Sequence, residues 1–307
     1  MRYRLSGPFS LAATASRFTR WPEVVDRFDG SVYRRLLPFG RGVLLEVREK
    51  RERSRRELEV SLRGAAADRK AARVSSRRVV EIGLGARLDV RPFYSAFRGD
   101  PLIGDALRHS RGLRIAGSAS LWEAIVTAVL SQQVNLSFAY DVRRELALAF
   151  GCRARFSGES YVAFPTPERL ARETPRSLRR FRLSGAKSRT LVRVARAFSG
   201  GRISEELLES LSDEDAIERL TEIKGIGRWT AEIALLRGLG RPDVFPGGDL
   251  GVVKYLAVEL VGHRARVTEE RMRRFARRWR PYRGLALVYA YAEIAKRRLD
   301  KRPTTKD

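Results

Sequence analysis

Two glycines one residue apart, set between two helix-like stretches, constrain this sequence more than any other feature. In the segment LTEIKGIGRWTA the apolar pattern predicts one helix that ends near Ile223 and another that begins near Arg228. Gly225 and Gly227 permit positive φ and close backbone approach, and Ile226 is expected to fill the gap between the helices. The sequence therefore predicts a helical pair joined by a tight hairpin.

The start of the second helix is expected to bind phosphate. Its first N–H groups have no partner inside the helix, and the helix dipole favours an anion there. An ordinary helix–turn–helix corner is the alternative, but Lys and Arg number 62 against 36 Asp and Glu, which gives a net charge of +26. Such a charge favours nucleic acid as the first partner and an anionic membrane surface as the second. The residues predicted to contact the DNA backbone are Lys224, Gly225, Ile226, Gly227 and Arg228.

Length and cysteine content exclude several classes of protein. A chain of 307 residues is long enough for two or three packed domains. Cys152 is the only cysteine, so an intrachain disulfide and a four-cysteine iron–sulfur cluster are both excluded. No apolar run approaches the roughly 20 residues of a membrane span. We therefore expect a monomeric cytoplasmic, nucleoid-associated protein that does not bind membranes.

The N-terminal part has a mixed α/β pattern, whereas the rest is helical. Strands are predicted at 43–47, at 58–62 and at 79–83, with a basic helix over 64–78 and a charged hairpin tip, KRERSRR, after the first strand. A helix with capping-box spacing is predicted from Ser120 to about Phe138. Further helices are expected from 141 to 150 and to begin near Thr166, Pro175, Ser184, Ser212 and Thr268.

A loop rich in proline and glycine, RPDVFPGGDL, follows the hairpin. It ends at Asp249, where another helix is predicted to begin. An aspartate at that place can serve as a helix N-cap, as a catalytic carboxylate, or as both. Asp243 is a competing carboxylate in the same loop, but it precedes a Phe-Pro pair and is expected to cap a turn.

The hairpin followed by this loop and Asp249 resembles the helix-hairpin-helix (HhH-GPD) superfamily of DNA glycosylases. The branch it resembles most is the 3-methyladenine DNA glycosylase II (AlkA-type) branch, and the likeness covers most of residues 25–295. Further matching segments are Arg27–Arg34, Phe93–Tyr94, Gly112–Arg114, Trp122–Ala124, Leu130–Val134 and Arg280–Arg283.

The resemblance implies a mainly α fold, with two helical subdomains and an N-terminal α/β domain built on an antiparallel sheet. The implied boundaries place the N-terminal domain at 1–86 and the hairpin domain at 112–241. Residues 87–111 and 242–300 form the second helical domain, which carries the catalytic Asp249.

The resemblance also implies a chemistry: Asp249 stabilises the positive charge that develops on deoxyribose and assists attack by water. Members that also cut the DNA strand carry a lysine nucleophile two residues past the second hairpin glycine. Trp229 stands at that position here and cannot form a Schiff base. The implied enzyme is a monofunctional glycosylase that removes alkylated bases of the 3-methyladenine type during base excision repair.

The same likeness assigns further residues to the base and to the DNA. Trp229 and Tyr282 are expected to line the base pocket, with core packing as the alternative for both aromatic rings. Gln133, together with Gln132, is expected to enter the gap left by the flipped base, with a solvated helix end as the alternative. The family has an aromatic residue at the position of Ile233, and this departure leaves the substrate range open.

The expected partner is double-stranded DNA with a damaged base, and neither a cofactor nor a catalytic metal is implied. Several hairpins of this family hold a monovalent cation through backbone carbonyls, so a structural cation stays open here. Two alternatives also stay open: a glycosylase of the same fold for oxidised or deaminated purines, and a non-catalytic DNA-binding protein.

Overall fold

The computed structural model describes residues 1–21, 23–52, 55–258 and 267–300. Near the N-terminus five strands form one antiparallel sheet in the order β1-β5-β4-β3-β2. Their bounds are β1 Arg2–Arg4, β2 Asp26–Phe28, β3 Val32–Leu37, β4 Val43–Glu52 and β5 Arg55–Arg63. A two-stranded ribbon, where no strand is predicted, consists of β6 Arg153–Phe156 and β7 Glu159–Val162.

The two longest strands confirm the first two strand predictions. β4 and β5 pair in register from Leu44 with Arg63 to Glu52 with Arg55. Leu58 is fully buried and Val60 is 4% exposed, as the alternation of apolar and polar residues predicts for a half-buried strand. Residues 53 and 54 of the predicted KRERSRR tip lie outside the described part of the chain.

The third strand prediction is wrong. The segment from Val79 to Gly83 is a π-helical turn that continues the helix Lys70–Arg78. Val79, Val80 and Ile82 are all buried, and the first two pack into the same core as the sheet. A short apolar run looks alike in a buried strand and in a buried helical turn, so periodicity alone could not separate them.

Fourteen segments among the described residues are α-helical. Several predicted starts are confirmed: the side chains of Thr166, Ser184, Ser212 and Thr268 each accept a hydrogen bond from the first turn of the helix that follows. The helices are α1 Leu11–Ala15, α2 Lys70–Arg78, α3 Arg91–Phe97, α4 Gly104–His109, α5 Leu121–Ser131, α6 Leu136–Phe150, α7 Pro167–Ala171, α8 Pro175–Leu178, α9 Gly185–Ser199, α10 Glu205–Glu209, α11 Asp213–Thr221, α12 Arg228–Gly238, α13 Glu269–Ala276 and α14 Arg283–Asp300. No helix in the described ranges combines the length and apolarity that a membrane crossing requires.

The long helix predicted from Ser120 to Phe138 is interrupted. Ser120 caps α5 as expected, but α5 ends at Ser131. Gln132 has φ −58° and ψ 126°, and Gln133 has φ 53°, which turns the chain sharply. Asn135 then caps α6 by accepting from the N–H of Phe138. A side chain of asparagine that bonds the backbone in this way competes with continuation of the preceding helix.

Buried charges join the sheet to the helices. The Arg35 guanidinium on β3 contacts Asp26 at 2.6 Å and also binds Glu123 on α5. Arg143 on α6 binds the same Glu123 and also Glu23. Because all five side chains are at most 5% exposed, removal of one partner would leave an unpaired buried charge. This cluster fixes where the N-terminal sheet docks.

The segment before the hairpin domain packs on the C-terminal helix. The ring of Phe93 on α3 lies 5.4 Å from that of Tyr289 on α14, and the hydroxyls of Tyr94 and Tyr289 are 2.8 Å apart. One apolar core runs through the helical segments from α3 to α14, from Val90 to Ala290, whereas α1 and α2 pack into the core of the sheet. The three-domain division therefore stays a prediction from the sequence.

Candidate active site and DNA interface

The hairpin between α11 and α12 has the tight geometry that its glycines predict. Gly225 has φ 104°, and a Cβ atom there would lie 1.9 Å from Oγ1 of Thr190 on α9. Ile226 is 4% exposed, and its N–H donates to the carbonyl of Ile223 at 2.9 Å. Only glycine fits at position 225, because both the backbone angle and the neighbouring helix exclude a side chain.

The N-terminus of α12 is open. Gly227 is its N-cap, has no side chain to bond the first turn, and borders empty space where a Cβ would stand. The first N–H groups of this helix can therefore bind an external anion such as a phosphate. Lys224 is exposed beside them, whereas the Arg228 guanidinium is held by Glu214 at 2.7 Å and by Glu232 at 3.0 Å. A phosphate contact by Arg228 would have to compete with those carboxylates.

The two adjacent glutamines have different surroundings. Gln132 Nε2 donates to the Gly225 carbonyl at 3.1 Å and to Thr230 Oγ1 at 3.0 Å, so this side chain ties the end of α5 to the hairpin. Gln133 is exposed in a left-handed conformation that is costly for a residue with a side chain. Val134 and Leu136 beside it are 37% and 50% exposed. The protruding position at Gln133 agrees with the predicted wedge, whose role in DNA stays a prediction.

Asp249 is fixed by three hydrogen-bond donors. Its Oδ1 accepts from the Gly251 N–H at 2.8 Å and from the Tyr291 hydroxyl at 3.1 Å, while Oδ2 accepts from Trp229 Nε1 at 3.0 Å. Its backbone carbonyl accepts from the Val253 N–H, as expected at the start of a helix. Asp249 is thus a helix cap, and its half-buried carboxylate also contacts Trp229 and Tyr291. Its catalytic role stays a prediction.

A buried ion pair supports the loop that carries Asp249. Glu232 on α12 is 1% exposed and lies 2.7 Å from Arg273 on α13, which also donates to the Phe245 carbonyl at 3.0 Å. Burial raises the pKa of Glu232, and the paired Arg273 acts against that rise. Asp243, the competing carboxylate, binds the Arg283 guanidinium through both oxygens, at 3.0 and 2.8 Å. The Asp243 carboxylate is therefore engaged in anchoring the start of α14 rather than in a reaction.

The structure places the two predicted pocket aromatics in different surroundings. Trp229 is half-buried on the first turn of α12 and contacts Asp249 directly. The Tyr282 ring instead lies 5.6 Å from Phe93, edge to face, and packs against the core. The structure thus brings Trp229 to the Asp249 carboxylate, whereas Tyr282 packs against Phe93. A pocket role for Tyr282 stays a prediction.

Tyr291 is a site residue that sequence reasoning missed. It follows Tyr289 by two residues on α14, so its side chain leaves the helix about 200° away from the face that packs on Phe93. The face that carries Tyr291 meets the loop that ends at Asp249, where the Tyr291 hydroxyl donates to the Asp249 carboxylate. No local motif surrounds Tyr291; only its position on the opposite face of an amphipathic helix could have indicated an exposed role. The described residues also contain no cluster of three His, Cys, Asp or Glu side chains fit to hold a metal ion.

Comparisons with known proteins agree with this geometry. Residues 126–281 match the HhH-GPD superfamily of base excision DNA repair proteins. The chain is similar to a DNA-3-methyladenine glycosylase of Bacillus subtilis, with 34% identity over 203 residues that make up 66% of this chain and 67% of the relative. This similarity confirms the resemblance to the 3-methyladenine glycosylase branch that the sequence indicates.

Two solved structures share the fold. A 3-methyladenine DNA glycosylase from Archaeoglobus fulgidus superposes with a TM-score of 0.79 and 26% identity over 98% of this chain and 100% of that one. A 3-methyladenine DNA glycosylase of Schizosaccharomyces pombe, bound to abasic DNA, superposes with a TM-score of 0.53 and 28% identity over 64% of this chain and 94% of that one. With hairpin, loop and carboxylate in place and half of the sequence matched, the chain belongs to the HhH-GPD superfamily of base excision DNA repair proteins.

Proposed function

We propose that this protein is a monofunctional DNA glycosylase that removes alkylated bases by hydrolysis. The observation that carries the proposal is the Asp249 carboxylate, held by Trp229, Tyr291 and the Gly251 N–H next to the phosphate-binding hairpin. Fixed donors hold the carboxylate in one orientation before substrate arrives, which is how an electrostatic catalyst avoids reorganisation during the reaction. The names of the relatives support alkylated bases as the substrate class.

The reaction begins with extrusion of the damaged base, because its glycosidic bond cannot be reached inside a stacked duplex. The hairpin N–H groups hold a backbone phosphate, and the exposed turn at Gln133 lies beside the hairpin to occupy the vacated space. DNA as the partner agrees with the S. pombe relative, which was solved on abasic DNA. The net charge of +26 adds a sequence-independent attraction.

Bond cleavage then depends on charge stabilisation. As the C1′–N bond breaks, its electron pair leaves with the base, and positive charge develops on the sugar beside Asp249. A carboxylate close to an oxocarbenium-like carbon lowers the energy of that state. A water oxygen then bonds to C1′ and its proton passes to the carboxylate and on to solvent, which leaves an abasic site.

Strand cleavage is not part of this proposal. The position of the lysine nucleophile holds Trp229, whose indole N–H is engaged by Asp249. A bond through the ring nitrogen leaves the faces of the ring free to stack on a base. A ring face attracts a positively charged base such as N3-methyladenine, and this attraction favours alkylated purines as substrates.

The test is a base-release assay on duplexes containing methylated purines. The protein should release the methylated base and leave the strand uncut until base is added. Asp249→Asn should slow release by roughly 100-fold or more, because a neutral amide cannot offset the developing charge. Asp243→Asn is the matched control, since it alters a carboxylate of the same loop that binds Arg283. Release by Asp249→Asn at the parent's rate, or strand cleavage without added base, would refute the proposal.

A further inference from the structure

A network of ion pairs connects the hairpin with the loop that ends at Asp249. Glu214 on α11 lies 2.7 Å from the Arg228 guanidinium at the start of α12, and Arg228 Nε lies 3.0 Å from Glu232 on the same helix. Glu232 in turn lies 2.7 Å from Arg273 on α13. These four side chains of alternating charge form one continuous ion-pair network.

The two carboxylates that hold Arg228 differ in exposure. The side chains of Glu214 and Arg228 are 66% and 47% exposed, whereas that of Glu232 is 2% exposed. An exposed ion pair is weak because water competes for both partners, whereas removal of one partner of a buried pair leaves an unpaired charge. Arg228 can therefore leave Glu214 with little loss of stability, but it stays bound to Glu232.

Arg228 stands next to the open N-terminus of α12. It directly follows the N-cap Gly227, and side chains of a helix lean towards its N-terminus. An arginine binds a phosphate best through two neighbouring N–H groups. Its Nε is taken by Glu232, so a phosphate needs Nη1 and Nη2. Both oxygens of Glu214 bind Nη2, at 2.7 and 2.8 Å, and Glu214 is therefore the partner that a phosphate has to displace.

The other end of the ion-pair network supports the backbone before Asp249. Arg273 Nη1 donates to the Phe245 carbonyl at 3.0 Å. A Cβ atom at Gly247 would lie 2.7 Å from Cγ of Arg273, so the glycine lets the loop backbone lie directly on this side chain. The Phe245 carbonyl also accepts from the Gly247 N–H at 2.8 Å. Because Asp249 follows two residues later, Arg273 supports the backbone that places its carboxylate.

We propose that Arg228 is a positioning residue that exchanges Glu214 for a DNA phosphate while it keeps Glu232. The ion-pair network thereby couples binding of the DNA backbone to the placement of Asp249. This inference rests on the proposed function, since it needs DNA at the hairpin and a reaction at Asp249. With a phosphate on Arg228, charge-assisted hydrogen bonds run without interruption from the DNA to the loop, and contiguous networks of this kind can carry coupling between sites.

Glu214 is then a competitor of DNA within the protein. Its carboxylate occupies Nη2 of Arg228 until a duplex arrives, and its negative charge opposes a phosphate at the same place. Part of the affinity that Arg228 contributes is therefore lost in displacing Glu214. Removal of the carboxylate should strengthen DNA binding, but only in a protein that still has Arg228.

A double-mutant cycle on affinity tests the exchange. Binding of an abasic duplex is measured by fluorescence anisotropy for the full-length parent, Glu214→Gln, Arg228→Gln and the double variant. Glu214→Gln should bind roughly threefold more tightly, since one exposed ion pair no longer has to break. Arg228→Gln should bind roughly tenfold more weakly, with a salt slope smaller by about 0.9. In the Arg228→Gln background, Glu214→Gln should lose most of its effect, because the two side chains act on each other.

Glu145→Gln is the matched control for net charge. Glu145 on α6 pairs with Arg182, whose side chain is 47% exposed like that of Arg228. The substitution removes the same unit of negative charge as Glu214→Gln. It should leave duplex affinity nearly unchanged at physiological salt, because salt screens an exposed charge that does not contact the duplex.

The coupling is tested by the rate of base release at saturating protein. Single-turnover release of N7-methylguanine is measured over a range of protein concentrations, which separates the maximal rate from the concentration that gives half of it. Arg228→Gln should lower the maximal rate roughly threefold, whereas loss of affinity alone would change only that concentration. Glu232→Gln should also lower the maximal rate, and Arg228→Gln should add little to it. Arg228 is exposed, so its variant decides the question even if Glu232→Gln does not fold.

The outcomes distinguish the two proposals. If the parent releases no methylated base, the glycosylase function itself fails. If the parent releases the base but Glu214→Gln gains no more affinity than Glu145→Gln, or gains as much without Arg228 as with it, the exchange is overturned. A maximal rate that Arg228→Gln leaves unchanged overturns the coupling, while the glycosylase function stands.

Discussion

One helix begins at the hairpin and the next begins at Asp249, and the two N-termini differ in what binds their first N–H groups. Gly227 starts α12 without a side-chain cap and leaves the first N–H groups open to solvent. Asp249 starts the next helix with its own carboxylate bound to the Gly251 N–H. Both termini carry the partial positive charge of a helix dipole. One terminus is free to hold an anion from outside, and the other already holds an anion of the protein.

Under the proposed function, this difference separates DNA binding from base release. An open terminus accepts any phosphate of the DNA backbone, so it contributes affinity without information about the base. The occupied terminus fixes the Asp249 carboxylate, which also accepts hydrogen bonds from Trp229 and Tyr291. These two residues lie on different helices that meet only in the folded protein. Substitutions that fill the open terminus, or loosen the occupied one, should therefore have separable effects on DNA binding and on base release.

The largest effect is expected at the hairpin. Gly225→Ala places a methyl group 1.9 Å from Thr190 Oγ1 and imposes a left-handed backbone on alanine. Strain and overlap together should lower the free energy of unfolding by about 2–5 kcal/mol and abolish DNA binding by the hairpin. Urea denaturation and a gel-shift assay measure the two effects.

Gly201→Ala is the control for backbone strain alone. Gly201 has φ 71°, and no atom lies within 4 Å of the added methyl group. The loss of stability should be about 1–2 kcal/mol, with DNA affinity unchanged. Equal losses for the two variants would show that contact with Thr190 does not shape the hairpin.

Filling the open terminus should have the second largest effect. Gly227→Asp places a capping carboxylate on α12 where space is empty. Stability should stay level or rise by about 0.3 kcal/mol, while duplex affinity falls roughly tenfold because the carboxylate occupies the N–H groups and repels phosphate. Fluorescence anisotropy with an abasic duplex at fixed salt measures the change. Gly227→Ala leaves the terminus open and should bind nearly as the parent does; equal binding by both variants would contradict a phosphate site there.

The smallest effect concerns the occupied terminus. Tyr291→Phe removes one of the three donors to Asp249 and should slow base release roughly fivefold, with DNA affinity unchanged. Single-turnover release from a methylated duplex measures it. Tyr161→Phe is the control, because it removes another tyrosine hydroxyl that binds a carboxylate, Glu159 at 2.8 Å, on the distant ribbon. A rate equal to that of the control would mean that Tyr291 does not position Asp249.

Local chemistry predicted much of the fold. Helix starts at Thr166, Ser184 and Ser212 follow from side chains that can bond a first turn, and the alternation around Leu58 predicts its strand. Prediction failed where a local pattern is compatible with two structures. The buried run from 79 to 83 packs as a helical turn against the sheet, and α5 stops where Gln133 adopts a left-handed conformation that no glutamine signals in sequence.

The residues of the site also differ in whether a local pattern predicts them. Asp249 and Trp229 could be identified because a hairpin, a Gly/Pro-rich loop and an aspartate follow one another at short spacing. Tyr291 could not, since nothing in the residues around it indicates which face of its helix will meet Asp249. Its partner lies 42 positions earlier in the chain.

The sequence by itself determined the hairpin, the carboxylate after it and the absence of a lysine at position 229, because each depends on residue type at short range. Only the tertiary structure decided which side chains surround that carboxylate. Trp229 reaches Asp249 from 20 residues before it, and Tyr291 reaches it from 42 residues after it. Such contacts depend on how whole elements pack, and packing is a property of the complete core that no short segment encodes.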